Sequence, residues 1–245
     1  MVLLEICIDS FESAKAAAEG GADRLEVCSS LTLGGLTPST GLLKHIKSVF
    51  PGLPAYCMLR AREGDFVYSA QEIETSLQDC EELRRCGADG FVFGALRPDG
   101  SLDQEACKTV IDACAPLPVT LHRAFDYARD WETCLQAAMR LGFRAVLSSG
   151  HRATAVEGVE VLRRMVESFP EITIIAGSGV QPGNVDQLLR AIPSIGGIHG
   201  SASRTVPSRF KFCPRDFRMG PADDGSTRKA TDSRIVAELA ARIRR

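Results

Sequence analysis

No stretch of this chain approaches the ~18 consecutive apolar residues that a membrane-crossing helix needs, so none is expected. Basic residues show no excess: 29 Lys and Arg face 31 Asp and Glu, for a net charge of −2 and a pI near 6.1. That balance argues against nucleic acid or an anionic membrane as the main partner, since both reward a basic surface. There is no C-x-x-C pair, which excludes a zinc ribbon and a thioredoxin-type motif. The start carries neither a basic n-region nor an A-x-A pattern, so no secretory signal is expected. No glycine-rich turn follows the first β-rich segment, as a dinucleotide-binding sheet would require. The nine cysteines are odd in number, scattered and mostly set in apolar runs, which fits reduced intracellular thiols rather than a disulfide framework.

What is present is an ordinary globular balance of 44% hydrophobic and 24% charged residues in 245, enough to bury a full core. Short β-rich runs alternate with helical patterns throughout. The strands expected are Leu3–Asp9, Arg24–Ser29, Pro54–Arg60, Gly90–Gly94, Val119–Arg123, Ala145–Ser149, Ile172–Gly177 and Gly197–Ser201. The helices expected are Phe11–Glu19, Thr40–Val49, Ala70–Cys86, Asp103–Ala113, Trp131–Leu141, Ala155–Ser168, Gly183–Arg190 and Ser233–Arg244. Ser69-x-x-Glu72 and Thr154-x-x-Glu157 read as capping boxes, and Gly21, Gly87 and Gly142 suit left-handed helix ends. Strict alternation implies parallel pairing with right-handed crossovers. Long connections follow the strands rather than the helices. The expected fold is therefore α/β, a (β/α)8 TIM-type barrel over residues 1–245 as a single domain, with its working face at the strand C-termini. The polar, Gly/Pro/Asp-rich stretch 219–233 reads as a mobile loop before the last helix.

Charges inside barrel strands need a reason. The first strand carries Leu4-Glu5-Ile6-Cys7 and the second Leu25-Glu26-Val27-Cys28. Period-two alternation puts Glu5 with Cys7, and Glu26 with Cys28, on one face. Their apolar neighbours suit the helix-facing side, so the acids and thiols should point into the barrel, where they need partners or a ligand. The plain alternative is a satisfied ion pair and inert core thiols. Arg60 and Arg62 end the third strand and could neutralise those glutamates or clamp an anion. His122, Arg123 and Asp126 crowd the end of the fifth strand, where His122 could be an acid/base or a metal ligand with Asp126 fixing its tautomer. His199 closes the eighth strand. Ser178 and Ser201 sit in small-residue turns after strands seven and eight, which resemble a phosphate cradle; such turns also simply need small residues.

Several segments resemble the CutC copper-homeostasis family: Leu4-Glu5-Ile6-Cys7-Ile8-Asp9-Ser10, Gly21-Ala22-Asp23-Arg24-Leu25-Glu26-Val27-Cys28-Ser29, Gly34-Gly35-Leu36-Thr37-Pro38-Ser39, His122-Arg123-Ala124-Phe125-Asp126 and His199-Gly200-Ser201-Ala202. The resemblance runs from about residue 3 to 202, with a weaker match at Thr231-Asp232. It implies a TIM-type barrel, a homo-oligomer, a cytoplasmic location extending to the nucleus in some members, and Cu(I) bound by Cys7 and Cys28. Soft thiolates suit Cu(I). It supplies no assigned reaction. Two other readings stay open. One is a barrel enzyme, a hydrolase, lyase or isomerase, in which Glu5, Glu26, His122 and Asp126 do acid/base work on a small anionic or phosphorylated metabolite held by Arg60, Arg62, Arg123, Ser178, His199 and Ser201. The other is a scaffold whose mouth is only a satisfied ion network.

Overall fold

The computed structural model describes residues 2–212 and 227–245. Eight parallel strands close into a barrel in sequence order, the last pairing with the first. They are β1 Leu3–Ile8, β2 Arg24–Val27, β3 Ala55–Met58, β4 Gly90–Phe93, β5 Val119–Leu121, β6 Ala145–Ser148, β7 Thr173–Ala176 and β8 Gly197–Gly200. The helices are α1 Phe11–Gly20, α2 Thr40–Val49, α3 Ala70–Arg85, α4 Gln104–Cys114, α5 Trp131–Leu141, α6 Val159–Ser168, α7 Pro182–Ala191 and α8 Ser233–Ile243. This is the expected TIM-type barrel.

Local chemistry explains the repetition. Gly21 and Gly142 end α1 and α5 in the left-handed conformation, and Gly87, just past α3, takes it too. The aspartate of each Gly-Ala-Asp then ties the next strand to the previous one. Asp23 accepts from the Leu4 amide and Asp89 from the Ala55 amide, both at 2.8 Å. Ser69 and Glu72 form the expected reciprocal cap on α3. The Thr154 box does not cap α6, which begins at Val159 instead of 155. Gly158 packs so closely on the Ser149 carbonyl that an added Cβ would lie 1.9 Å from it, so the chain turns there before the helix starts.

Alternate strand residues divide as the pattern requires. Leu4, Ile6, Leu25, Val27, Phe91, Phe93, Val146 and Ile198 join the helix-facing core. The other parity fills the lumen with two small apolar clusters: Cys28, Met58 and Val92 on one side, and Ala145, Leu147 and Ile175 on the other.

Of the stretch read as a loop over 219–233, residues 219–226 lie outside the described residues. Thr227–Thr231 forms strand β10, antiparallel to β9 at Ser203–Pro207. That ribbon is mostly polar, held by backbone pairing and by Thr231, whose amide donates to Ser13 Oγ on α1, and it lacks the apolar alternation that marks a strand in sequence.

Candidate functional site

β1 and β2 are adjacent and parallel, with Glu5 opposite Arg24 and Cys7 opposite Glu26. On the other side of β1, Glu5 stands opposite His199 of β8. Barrel closure therefore brings together side chains 194 residues apart. Arg24 Nε donates to Glu5 Oε2 at 2.6 Å, and His199 Nδ1 donates to Glu5 Oε1 at 2.9 Å. Both Glu5 oxygens are thus occupied. His199 Nε2 stands 3.7 Å from Glu26 Oε2. The Cys7 sulfur, a Glu26 oxygen and a His199 ring nitrogen lie within 4.8 Å of one another, all three residues buried. Gly177 makes room for the imidazole, because a Cβ there would press 3.4 Å from His199 and 2.6 Å from Leu147.

The charges are set by burial and by neighbours. Burial alone would raise the Glu5 pKa, but the His199 hydrogen bond and the Arg24 charge outweigh it and hold the carboxyl below its ordinary range. Burial raises Glu26, with the Glu5 charge assisting and His199 opposing. Burial also works against a charged His199, yet Glu26, Cys7 and Glu5 together lift its pKa well above the usual imidazole value. Glu26 Oε1 is buried and has no hydrogen-bond partner among the described residues. A thiol, an imidazole and a carboxylate with a spare oxygen, converging in a buried pocket, are a donor set able to hold a metal ion. Glu5 then takes the outer position, orienting the imidazole from its far nitrogen.

Cys28 is not one of that cluster. Its thiol donates to Glu26 Oε2 at 3.6 Å, and burial, followed by the Glu26 charge, pushes its pKa well up. It packs beneath Gly35, beside Met58. Cys7 and Cys28 therefore meet through Glu26 rather than as a bare pair.

The other expected site residues go to different places. Arg60 and Arg62 do not touch Glu5 or Glu26; Arg24 serves that purpose. Arg60 gives its terminal nitrogens to the carbonyls of Leu33 and Gly64, at 2.8 and 2.9 Å, and so pins two mouth loops. Arg62 turns outward to Glu72 and Asp65. Asp126 does not fix the His122 tautomer. It accepts from Arg123 Nε at 2.7 Å, the Ser148 hydroxyl at 2.6 Å and the Ser149 amide, tying a 3-10 turn (Arg123–Tyr127) to the end of β6. His122 is held instead by the Ala124 amide, which donates to Nδ1 at 3.1 Å. Arg123 also reaches the Ser149 hydroxyl at 2.9 Å. The Ser178 hydroxyl donates to the Ala153 carbonyl at 2.8 Å, and the Ser201 and Ser203 hydroxyls bond each other at 2.9 Å. Ser201 and Gly179 line an open cleft of about 490 Å³, apart from the arginines expected to share an anion with them.

Arg24 was absent from the sequence candidates. Its signal was nonetheless present, since Arg24, Glu26 and Cys28 share one strand parity.

Comparison with known proteins agrees with this architecture. Residues 2–204 match the model of the CutC family. The copper homeostasis protein cutC homolog of Caenorhabditis elegans is 51% identical over 189 residues, covering 77% of this chain and 76% of that protein. The Homo sapiens homolog is 42% identical, covering 89% and 80% respectively. The crystal structure of CutC from Streptococcus agalactiae superposes with a TM-score of 0.78 at 27% identity, covering 82% of this chain and 99% of that one. With motif segments on β1, β2, β8 and the turn after β5, and the family model spanning all eight barrel strands, this chain belongs to the CutC family.

Proposed function

We propose that this protein serves copper homeostasis by binding Cu(I) inside the barrel at Cys7 and His199, with Glu26 as third donor and Cys28 beside it. The observation that carries the reading is the convergence of the Cys7, Glu26 and His199 donor atoms within 4.8 Å. The relatives' copper-homeostasis names point the same way. Thiolate and imidazole are soft enough to favour Cu(I), and the ion supplies the positive charge that otherwise comes from the His199 proton. Glu5 keeps the His199 Nε2 lone pair aimed at the ion by accepting from Nδ1. Arg24, stacked 4.0 Å over the Tyr56 ring, holds Glu5 ionised. Such a site suits a reducing, cytoplasmic setting, and a homo-oligomer belongs to the same proposal.

The catalytic reading fares less well. Of its three carboxylates, Glu5 and Asp126 are occupied by structural partners, which leaves Glu26 with a free oxygen and a raised pKa. Anaerobic Cu(I) titration against a competing chelator tests the proposal. Wild type should take up one ion per chain with high affinity. Cys7→Ser and His199→Gln should each lose more than Cys28→Ser. Undiminished affinity in Cys7→Ser would remove the proposal.

A further inference from the structure

The opposite half of the lumen carries polar groups that copper binding does not use. Met58 pairs with Val92, and Val92 with Thr120. Two residues further on, the same parity places Arg60, Gly94 and His122 side by side where β3, β4 and β5 end. Arg60 and His122 are 6% and 3% exposed. The His122 ring lies directly on Gly94, where a Cβ would come within 2.8 Å of Nδ1, so only glycine lets the imidazole sit there. Phe66 covers both: the Arg60 guanidinium carbon is 4.9 Å above its ring centroid, and the His122 ring is 5.0 Å away.

Among the described residues, Arg60 Nε, His122 Nε2, Thr120 Oγ1 and Tyr68 Oη are buried without a hydrogen-bond partner. Buried polar atoms are nearly always satisfied, so four orphans in one region need a reason. Their polarity is uniform. Arg60 can only donate. Because His122 Nδ1 accepts from the Ala124 amide, the neutral ring carries its proton on Nε2, which therefore donates as well. The hydroxyls of Thr120 and Tyr68 can rotate to donate. No carboxylate among the described residues lies within ion-pair distance of Arg60, whose other contacts are neutral carbonyls. A buried guanidinium without a counter-charge is costly. Burial and the Arg60 charge keep His122 neutral, with a pKa lowered to about 3, so it does not repel Arg60.

We infer that the β3–β5 half of the mouth is a binding site for a small-molecule oxyanion, a carboxylate or phosphate group received by Arg60 Nε–H and His122 Nε2–H. Tyr68 and Thr120 complete the donor set, and Phe66 shields it from solvent. This site is separate from the Ser201–Gly179 cleft and from the copper donors. Its ligand is a second class of molecule, not a ligand of the metal.

The test uses the metal-free full chain at neutral pH, titrated calorimetrically with inorganic phosphate, with malonate and with chloride. The side-chain ¹⁵N–¹H signal of His122 is followed in parallel. Phosphate or malonate should bind and shift that signal, and which of the two binds tells the source of the oxyanion. His122→Leu should weaken binding about tenfold or more, as expected for losing a hydrogen bond to a charged group. Gly94→Ala, whose methyl would press on the His122 ring and displace its Nε2, should weaken it as well. Cys7→Ser should leave it unchanged, so failure here and failure of the copper reading can be told apart. The inference is overturned if neither oxyanion binds, if chloride binds as well as both, or if binding leaves the His122 signal unmoved. Unaltered affinity in a folded His122→Leu variant would also overturn it.

Discussion

The lumen of this barrel has two polar halves of opposite character. On β8, β1 and β2 opposite charges pair: Arg24, Glu5 and His199 form a chain of charge-assisted hydrogen bonds that ends beside Cys7 and Glu26, with one Glu26 oxygen left free. On β3 to β5 the groups can all donate, and Arg60 Nε, His122 Nε2 and the Thr120 and Tyr68 hydroxyls are left without partners among the described residues. The first half is acidic and thiol-bearing, suited to a cation. The second holds a guanidinium without a counter-charge beside a neutral imidazole that can donate, suited to an anion. The contrast shows that strand parity decides which residues face inward, whereas chemistry depends on which neighbours the barrel closes against them.

The sharpest way to break the comparison is Glu5→Leu. It leaves Arg24 and His199 buried without their counter-charge, a change that costs roughly 3–5 kcal/mol where a buried pair is broken. Chemical denaturation should show that loss. Glu5→Gln should be milder in stability and lower Cu(I) affinity roughly 10–100-fold, as for other outer-sphere partners of a ligating imidazole. Equal Cu(I) affinity in wild type and Glu5→Gln would mean that His199 needs no orienting carboxylate.

The other half is probed by pH. His122 has its pKa depressed by burial and by Arg60 to about 3, below the ~6.5 of an unfolded histidine. Between those values the unfolded chain binds the extra proton, so His122 withdraws stability as pH falls through that window. Moving from pH 7 to 4.5 should destabilise wild type by roughly 2 kcal/mol more than His122→Leu. Matched acid profiles for the two proteins would contradict this placement of His122. The smallest effect belongs to Arg62. Its guanidinium lies outside, paired to Glu72 and Asp65, so Arg62→Ala should cost at most about 1 kcal/mol and leave both copper and oxyanion binding intact.

Much of the fold was legible in the sequence. All eight barrel strands and eight helices appear in the expected order, with α6 alone starting well past its expected capping box. The strands end one or two residues earlier than read, because residues such as Arg60, Gly94, Arg123 and Ser201 already bend into the mouth. The inward aim of Glu5, Cys7 and Glu26 followed from period two. What was hidden lies in closure and in loops. Nothing local shows that His199 will meet Glu5, or that Asp126 will leave His122 for Ser148 and Ser149. The turn toward the carbonyls of Leu33 and Gly64 likewise depends on loops whose conformation Arg60 itself stabilises. The β9–β10 ribbon has no apolar alternation to announce it.

The most direct test of the account is a crystal of the Cu(I)-loaded protein with anomalous scattering measured at the copper edge. The account predicts one peak inside the barrel, within bonding distance of the Cys7 sulfur and the His199 Nε2, with Arg60 and His122 free of metal. A peak at any other thiol, or between Arg60 and His122, would contradict it.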